Sequence, residues 1–323
     1  MPEDKKSAPA VALTCGDPSG IGPEVAVQAC LDDRVRAACA PVLFWPRGLP
    51  PAGIEVATVE HGGSDAGAAL ASLEAALGAV TAGSCRALVT APVSKARMAA
   101  LVPGFRGHTD WLAQRAGLRP SDLVMIFSGR RVRTACVMRH VPIRDLASLL
   151  DSGDVAWAAL LLWAHLRFDL EIAAPRLAVC GLNPHASDGG LVGNEEADIV
   201  APAVDRVRRA IAAMGEAPLI DGPLAADSSF RDHVAGLYDG VLGMFHDQAT
   251  IAAKIADPFR SVNYTAGLPF VRTSPDHGTA DGLAGKGRAD PGSMIEAVLL
   301  AARLASRSDG LVQRLPSLGS LVR

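Results

Sequence analysis

Residues 240–290 read GVLGMFHDQATIAAKIADPFRSVNYTAGLPFVRTSPDHGTADGLAGKGRAD. The apolar run 241–245 has the length of a buried strand and delivers His246, Asp247 and Gln248 where that strand should end. Lys254, Asn263 and Arg272 follow at intervals, and a glycine-rich segment spans 277–287. In open α/β sheets ligands bind at the carboxyl ends of strands. A metal-capable imidazole, two cations and an amide arriving there predict a site for a charged small molecule. A solvated polar loop accounts for any one of these residues taken singly. It accounts poorly for all of them in one short stretch.

Outside this stretch the composition is that of a layered α/β protein. The 323 residues leave room for two domains or one large α/β unit. Apolar residues make up 49% but aromatic residues only 4%, so small side chains dominate, as close packing of helices on a parallel sheet requires. A net charge of −3 gives no basic footprint, which argues against nucleic acid as a partner. The opening MPEDKKSAPA lacks the apolar core of a signal peptide. The longest apolar stretch, 155–166, is too short to span a bilayer and carries His165. Cys15, Cys30, Cys39, Cys85, Cys136 and Cys180 lie far apart with no C-x-x-C pair, and read as buried thiols in a reducing compartment. The expectation is a soluble cytoplasmic protein with no membrane partner.

Taken in order, a strand at 11–15 runs into Gly16-Asp17-Pro18-Ser19-Gly20-Ile21-Gly22-Pro23-Glu24, a tight turn that opens a helix through about residue 29. This is not the G-x-G-x-x-G dinucleotide fingerprint. A strand at 41–45 precedes a Gly- and Pro-rich surface connection over 46–65, then a helix at 66–80 and a strand at 87–90. Gly107-His108-Thr109-Asp110 leads into an amphipathic helix, 111–116, that Thr109 or Asp110 could cap. Runs 123–127 and 133–138 form a hairpin, the second ending at His140. Helices are expected at 143–150 and 155–168, and a strand at 177–180 that ends near His185. The helix after Asn194 carries Ile199, Val200, Ala203, Val204, Val207 and Ile211 at helical spacing, with Pro202 kinking or restarting it. Residues 222–227 lead into a polar loop, 289–304 is a last helix, and the remainder is a weakly packed tail.

His140, His185 and His246 thus each end an expected strand. A single strand-end histidine is more often bonded to a backbone carbonyl than to a metal. Three neutral imidazoles together would suit a divalent ion with open positions for substrate oxygens. His61, His165 and His233 sit in ordinary loop or helix contexts, whereas His108 and His277 lie in Gly-flanked turns where direct ligand contact is possible.

These strings carry a resemblance. GDPSGIGPE, TAPVSK, GHTD, GLNPHA with GNEE, HDQ, and NYTAGLPFVRTSPDHGTA together resemble the 4-hydroxythreonine-4-phosphate dehydrogenase family of pyridoxal phosphate biosynthesis, over about residues 11–304. GIGPE and HGTA…AGKG also resemble the isocitrate and isopropylmalate dehydrogenases. The resemblance implies a two-domain α/β architecture with the active site in the interdomain cleft. It places cofactor binding on 1–130 plus 265–323, and metal binding, substrate binding and dimerisation on 131–264. Metal ligands of the family match His140, His185 and His246, for Zn²⁺, Mg²⁺ or Co²⁺. Its substrate contacts match His108, Thr109, Lys254, Asn263 and Arg272, with the cations and the amide partnering phosphate and carboxylate. Asp247 and Lys254 are the catalytic candidates, Asp247 serving equally as a proton-transfer group or as support for His246. The adenine-side loop of NAD or NADP falls on His277, Gly278, Thr279, Ala280, Gly285 and Asp290, where several decarboxylating relatives have Asn at the last position. No acidic ribose reader is identifiable, so NAD and NADP stand as equal alternatives.

The implied reaction is oxidation of 4-(phosphooxy)-L-threonine to 2-amino-3-oxo-4-(phosphooxy)butanoate, which decarboxylates to 3-amino-2-oxopropyl phosphate. The implied assembly is a homodimer whose active sites are shared between subunits. Two departures from the family pattern stand out: a short 46–65 segment, and Ser187-Asp188 where Gly-Glu is common. Relatives that oxidise D-threonate or D-erythronate 4-phosphate would use the same clamp. Relatives acting on dihydrodiol dicarboxylates tend to lose the GHT turn and the Asn/Arg pair, both present here. From another class, a hydrolase with a three-histidine metal-bound water would have no use for the HGTA…AGKG loop.

Overall fold

The computed structural model of the chain describes residues 8–46 and 51–322. In chain order the elements are β1 (Ala10–Thr14), α1 (Gly22–Leu31), α2 (Asp33–Ala38), β2 (Ala40–Trp45), β3 (Glu55–Thr58), α3 (Asp65–Thr81), β4 (Ala87–Val89), α4 (Lys95–Leu101) and α5 (His108–Arg115). Then follow β5 (Val124–Ser128), β6 (Arg133–Met138), α6 (Leu146–Leu149), α7 (Ser152–Ala164), β7 (Leu177–Cys180), α8 (Ala201–Ala213), β8 (Ile220–Leu224), α9 (Ala226–Val234), β9 (Gly240–Phe245), α10 (His246–Ala256), β10 (Val262–Ala266), β11 (Val271–Pro275), α11 (Gly292–Ala305) and α12 (Leu311–Val322). They group into two compact units: Met1–Arg115 with Phe270–Arg307, and Ala116–Pro269 with Ser308–Arg323.

The first unit has strands in the order β3-β2-β1-β4-β11, all parallel. Parallel neighbours need a crossover, and covering helices bury both faces. Val11, Ala12 and Leu13 of β1 are fully buried, as are Ala87, Leu88 and Val89 of β4. Pro23 starts α1 as the turn chemistry predicts. Ser64 caps α3 by accepting from Gly67 N at 3.0 Å.

The second unit runs β10-β5-β6-β9-β7-β8. Its β10, β5 and β6 are antiparallel, with the expected hairpin at β5–β6, and β6, β9, β7 and β8 are parallel. The central helix α7 is apolar on every side, Val155 to Ala164 being buried throughout, as a fully enclosed helix should be. All six cysteines are free and buried, as expected. Burial pushes the Cys136 and Cys180 thiols up to about 12.

Several expectations need correction. The surface connection 46–65 contains β3, whose backbone pairs with β2, although 47–50 lie outside the described residues. Residues 222–224 end β8, and helix α9 stands where a polar loop is expected after 227. Helix α5 begins at His108, so Thr109 and Asp110 lie inside its first turn and do not cap it. Pro202 sits at the start of α8, after a π turn at Glu196–Val200, so it restarts the helix. Pairing of β10 with β5 and of β5 with β6 draws β5 and β10 into the second compact unit.

The expected weak tail is α12, with Leu311, Leu318 and Val322 buried. Asp169 links it to the core: its Oδ2 accepts from His165 Nδ1 (2.9 Å) and its Oδ1 from Leu311 N (2.8 Å), while the Arg314 guanidinium lies 3.9 Å from the Phe168 ring centroid. Asp169→Ala leaves two buried groups without partners, each costing about 1–3 kcal/mol. A drop in Tm on the order of 5–10 °C is expected in thermal melts. Wild-type melting would show that this carboxylate does not hold α12.

Candidate active site

Strand order brings together histidines that are far apart in sequence. Strands β6, β9 and β7 are consecutive parallel neighbours, and their carboxyl ends lead to His140, His246 and His185 respectively. Adjacent strands lie about 4.8 Å apart, so three strand ends span roughly 10 Å. The His140 and His246 rings stand 5.6 Å apart between centroids, tilted by 39°. His246 is fixed by its neighbour, its Nδ1 lying 2.7 Å from Asp247 Oδ1. A carboxylate is an acceptor, so Nδ1 carries the proton and Nε2 is left as the lone-pair nitrogen.

Two further contacts hold this end of the sheet. Gln248 accepts from Met244 N (2.7 Å) and donates to Gly181 O (3.1 Å), tying the β9–α10 turn to the end of β7. In GLNPHA–GNEE, Asn183 N donates to Glu196 Oε1 (2.7 Å), and Asn183 Nδ2 donates to Glu195 Oε2 (2.7 Å) and Glu196 Oε2 (3.0 Å). Buried Glu196 therefore anchors the turn from which His185 projects. Backbone φ is +37° at His140 and +53° at His185, and it stays left-handed through Ala186, Ser187 and Asp188. Left-handed backbone at non-glycine residues is unfavourable and concentrates at functional sites. The structure brings His140 and His246 together but does not add His185 to them: among the described residues no three His, Cys, Asp or Glu side chains form a set ready to hold a metal ion. His185 stands exposed on its left-handed turn.

Lys254 and Asn263 belong to the second unit, and Arg272, His108 and Thr109 to the first. Lys254 is exposed on α10 and Asn263 lies on β10, its Oδ1 buried with no hydrogen-bond partner. In the first unit, Arg272 on β11 is 2% exposed and donates to Thr90 Oγ1 at the end of β4. Burial pushes its guanidinium down to about 9. His108 and Thr109 open α5, and His108 Nε2 is buried without a partner. Burial, then the charges of Arg272 and Lys95, push the His108 imidazole down to about 3. Lys95, the last residue of TAPVSK, thus belongs to this cationic group. Nothing in the spacing of TAPVSK marks Lys95 for this place.

The glycine segment of the first unit is tied to the β1–α1 turn. Ile21 N donates to Thr279 O (2.9 Å), and Gly20 has no room for a Cβ, which would come 2.7 Å from that oxygen. Arg97 bonds both oxygens of Asp281 (2.9 and 3.1 Å) and Asp17 Oδ2 (2.8 Å). His277 Nε2 is buried and unpartnered, Ala280 takes φ +43°, and Gly278 and Gly285 have open space where a Cβ would stand. Asp290 accepts from Gly292 N (2.7 Å) at the start of α11, which gives it a local capping task. Arg97 escaped sequence reasoning because nothing in its spacing relates it to residues 17 and 281.

Buried polar atoms without partners are rare in folded proteins. Here they include atoms of His108, Asn263 and His277, three candidates for ligand contact, beside others such as Ser152 and Trp163 of α7. The family model described as pyridoxal phosphate biosynthetic protein PdxA matches residues 46–301. A 4-hydroxythreonine-4-phosphate dehydrogenase of Aromatoleum aromaticum is 38% identical, over 94% of this chain and 98% of that protein. The crystal structure of 4-hydroxythreonine-4-phosphate dehydrogenase from Klebsiella pneumoniae is similar with TM-score 0.76 and 29% identity, over 92% of this chain and 100% of that one. A terephthalate 1,2-cis-dihydrodiol dehydrogenase from Burkholderia xenovorans is similar with TM-score 0.64 and 28% identity, over 91% and 98% of the two chains.

The depressed His108 pKa sets a pH dependence. The unfolded chain takes up a proton below the ordinary value of 6.5, whereas the folded chain resists it down to about 3. Stability from this group is therefore complete above pH 6.5 and falls as pH drops toward 3. His108→Gln removes the proton-binding group, so the variant should lose less Tm between pH 7.5 and pH 4.5 than the parent. An equal loss would mean that His108 is protonated in the fold without penalty.

Proposed function

We propose, from the premise that the chain belongs to the family of the pyridoxal phosphate biosynthetic protein PdxA, that it oxidises 4-(phosphooxy)-L-threonine with NAD(P)⁺ and a divalent metal. The product, 2-amino-3-oxo-4-(phosphooxy)butanoate, then loses CO₂ to give 3-amino-2-oxopropyl phosphate. The observation that carries this reading is the order β6-β9-β7, which sets His140, His246 and His185 at neighbouring strand ends.

The donor chemistry fits a metal. Neutral imidazoles suit Zn²⁺ and Co²⁺, the His140 and His246 rings already lie side by side, and Asp247 orients His246 in the manner of a carboxylate–histidine pair. His140, His185 and His246 would hold the ion, which supplies Lewis acidity toward the substrate's 3-hydroxyl and the ketone derived from it. The loop 277–290 would hold the nicotinamide cofactor, which would supply the hydride acceptor for this oxidation.

The remaining work falls to side chains of this chain. Arg272, Asn263 and Lys254 bind the phosphate and carboxylate, and Arg272 does so from a buried position where its charge is poorly screened. His108, held neutral, has its Nε2 open to donate to or accept from the substrate, with Thr109 beside it. Asp247 keeps the lone pair of His246 directed away from itself. Lys254 donates the proton to carbon after CO₂ departs. The second unit is thus the metal-binding part, and the first supplies the cofactor loop 277–290. We assign the enzyme to the cytoplasm, consistent with six free, buried thiols. Among the described residues no single helix is long and apolar enough to cross a membrane.

The likeness to the terephthalate dihydrodiol dehydrogenase supports a second reading, oxidation of a dihydrodiol dicarboxylate. The GHT turn at 107–109 and the Asn263–Arg272 pair, which such relatives tend to lose, favour a phosphorylated substrate over it. The deciding assay is NADH or NADPH formation from 4-(phosphooxy)-L-threonine with and without a chelator. Turnover is expected, with loss on chelation, and His246→Ala should lower kcat by at least about a hundredfold while leaving the melting curve unchanged. Inactivity at full metal loading, alongside turnover of D-threonate or D-erythronate 4-phosphate, would replace the substrate assignment.

We further infer a homodimer. Ile251 (58% exposed) and Ile255 (77%) lie four residues apart on α10, and Phe259 (69%) continues the row just beyond it. Such an apolar stripe calls for a partner surface, and it lies on the helix that carries His246 and Lys254. Ile255→Glu should convert a dimer to monomer in sedimentation, with loss of activity if residues are shared. A variant that remains dimeric would assign the stripe another role.

A further inference from the structure

The first unit contains a cleft of about 370 Å³ between the β1–α1 turn, the end of β2 and the glycine segment. Its lining includes Pro18, Gly20, Glu24, Trp45, Gly285 and Gly287. Glu24 is held in place because its Oε1 accepts from Ala289 N (3.1 Å). Its other oxygen, Oε2, is buried and has no hydrogen-bond partner. The indole Nε1 of Trp45 is likewise buried and unpartnered. Each of these two lining residues thus keeps one polar atom, an acceptor on Glu24 and a donor on Trp45, removed from water and without a partner. Opposite them, Gly285 and Gly287 take φ +70° and +63° with nothing within 4 Å of a would-be Cβ, so that wall is bare backbone.

We propose that this cleft binds the adenosine ribose of the dinucleotide through its free 2′- and 3′-hydroxyls, and that Glu24 makes the enzyme prefer NAD⁺ to NADP⁺. The inference rests on the assignment of 277–290 as the cofactor loop. A carboxylate oxygen lacking a donor is matched by a hydroxyl, which supplies a charge-assisted hydrogen bond. A 2′-phosphate in the same place would set like charges together in a partly desolvated cleft. Among the described residues none of those lining the cleft is a cation, and Lys286, between the two glycines, donates its Nζ to Gly282 O at 2.6 Å. The Trp45 indole supplies a flat apolar face and an N–H donor, a combination suited to a nucleoside. Neither residue is recognisable from sequence as a ribose reader: Glu24 reads as a helix-start acid and Trp45 as a strand end.

The test is binding of NADH and NADPH to the full-length protein by fluorescence titration, repeated with ADP-ribose and its 2′-phosphate to remove the nicotinamide. The parent should bind NADH, and ADP-ribose, at least about tenfold more tightly than the 2′-phosphorylated forms. Glu24→Gln keeps an oxygen for Ala289 N and removes the charge, so the preference should shrink by about tenfold. Glu24→Asp, which keeps the charge, should retain the preference and serves if the glutamine variant melts early. Trp45→Phe should weaken both dinucleotides alike and abolish most of the tryptophan quenching by bound NADH. A preference for NADPH in the parent, or a ratio within about twofold of the parent in Glu24→Gln, would overturn the proposal while leaving the cofactor loop intact. Failure of the parent to bind either dinucleotide would remove the underlying loop assignment as well.

Discussion

Parallel pairing of β6, β9 and β7 is the constraint on which the proposed chemistry rests. Parallel strands share one direction, so every chain that leaves the sheet there does so at the same end, whatever its position in sequence. His140, His185 and His246 are 45 and 61 residues apart, yet they leave three neighbouring strands at that end. The strands themselves are fixed by burial: Thr134, Ala135 and Cys136 on β6, Ala178 to Cys180 on β7, and Val241 and Leu242 on β9 are all inaccessible to solvent. The polar residues at these strand ends are therefore positioned by an apolar core. The hydrogen bonds of Gln248 to Gly181 and of Asn183 to Glu196 only refine that placement.

In the first unit the corresponding role falls to a charge. Arg97 joins the turn after β1, through Asp17, to the glycine segment after β11, through Asp281. The Asp281 and Asp17 carboxylates hold its guanidinium well above its usual range. Asp17 is 1% exposed, and its carboxylate accepts from this partner and from the backbone amides of Ser19 and Ser94. The planar fork of arginine satisfies both oxygens of Asp281 while its Nε remains for Asp17, a geometry that a lysine could not reproduce.

How far the sequence anticipates this structure depends on the kind of signal. Apolar runs ending in polar residues mark β1, β2, β4, β5, β6, β7 and β9 correctly, because a buried strand must be apolar and a strand end must meet water. Strand β8 is hidden by Gly222-Pro223, and β10 by the polar residues of VNYTA, since in both the backbone pairing outweighs composition. Helix α12 carries Pro316 within it and Gly319 near its end, and tertiary packing of Leu311, Leu318 and Val322 overrides both. The candidate histidines are visible as types at strand ends. Their adjacency is not, because strand order is not written in spacing. Arg97, Lys95, Glu24 and Trp45 are invisible for a related reason: each takes its meaning from a partner brought near only by folding.

The run His185–Asp188 has a consequence beyond ligand geometry. Four successive non-glycine residues take φ between +46° and +66°, the mirror image of the usual helical turn. Each carries an unfavourable backbone energy of roughly 1 kcal/mol that glycine would largely escape. Ala186 and Ser187 therefore stand where selection for heat tolerance and selection for a rigid histidine turn oppose each other. A glycine there relaxes the backbone but loosens the support of His185. The turn thus stores backbone energy that the rest of the fold must offset.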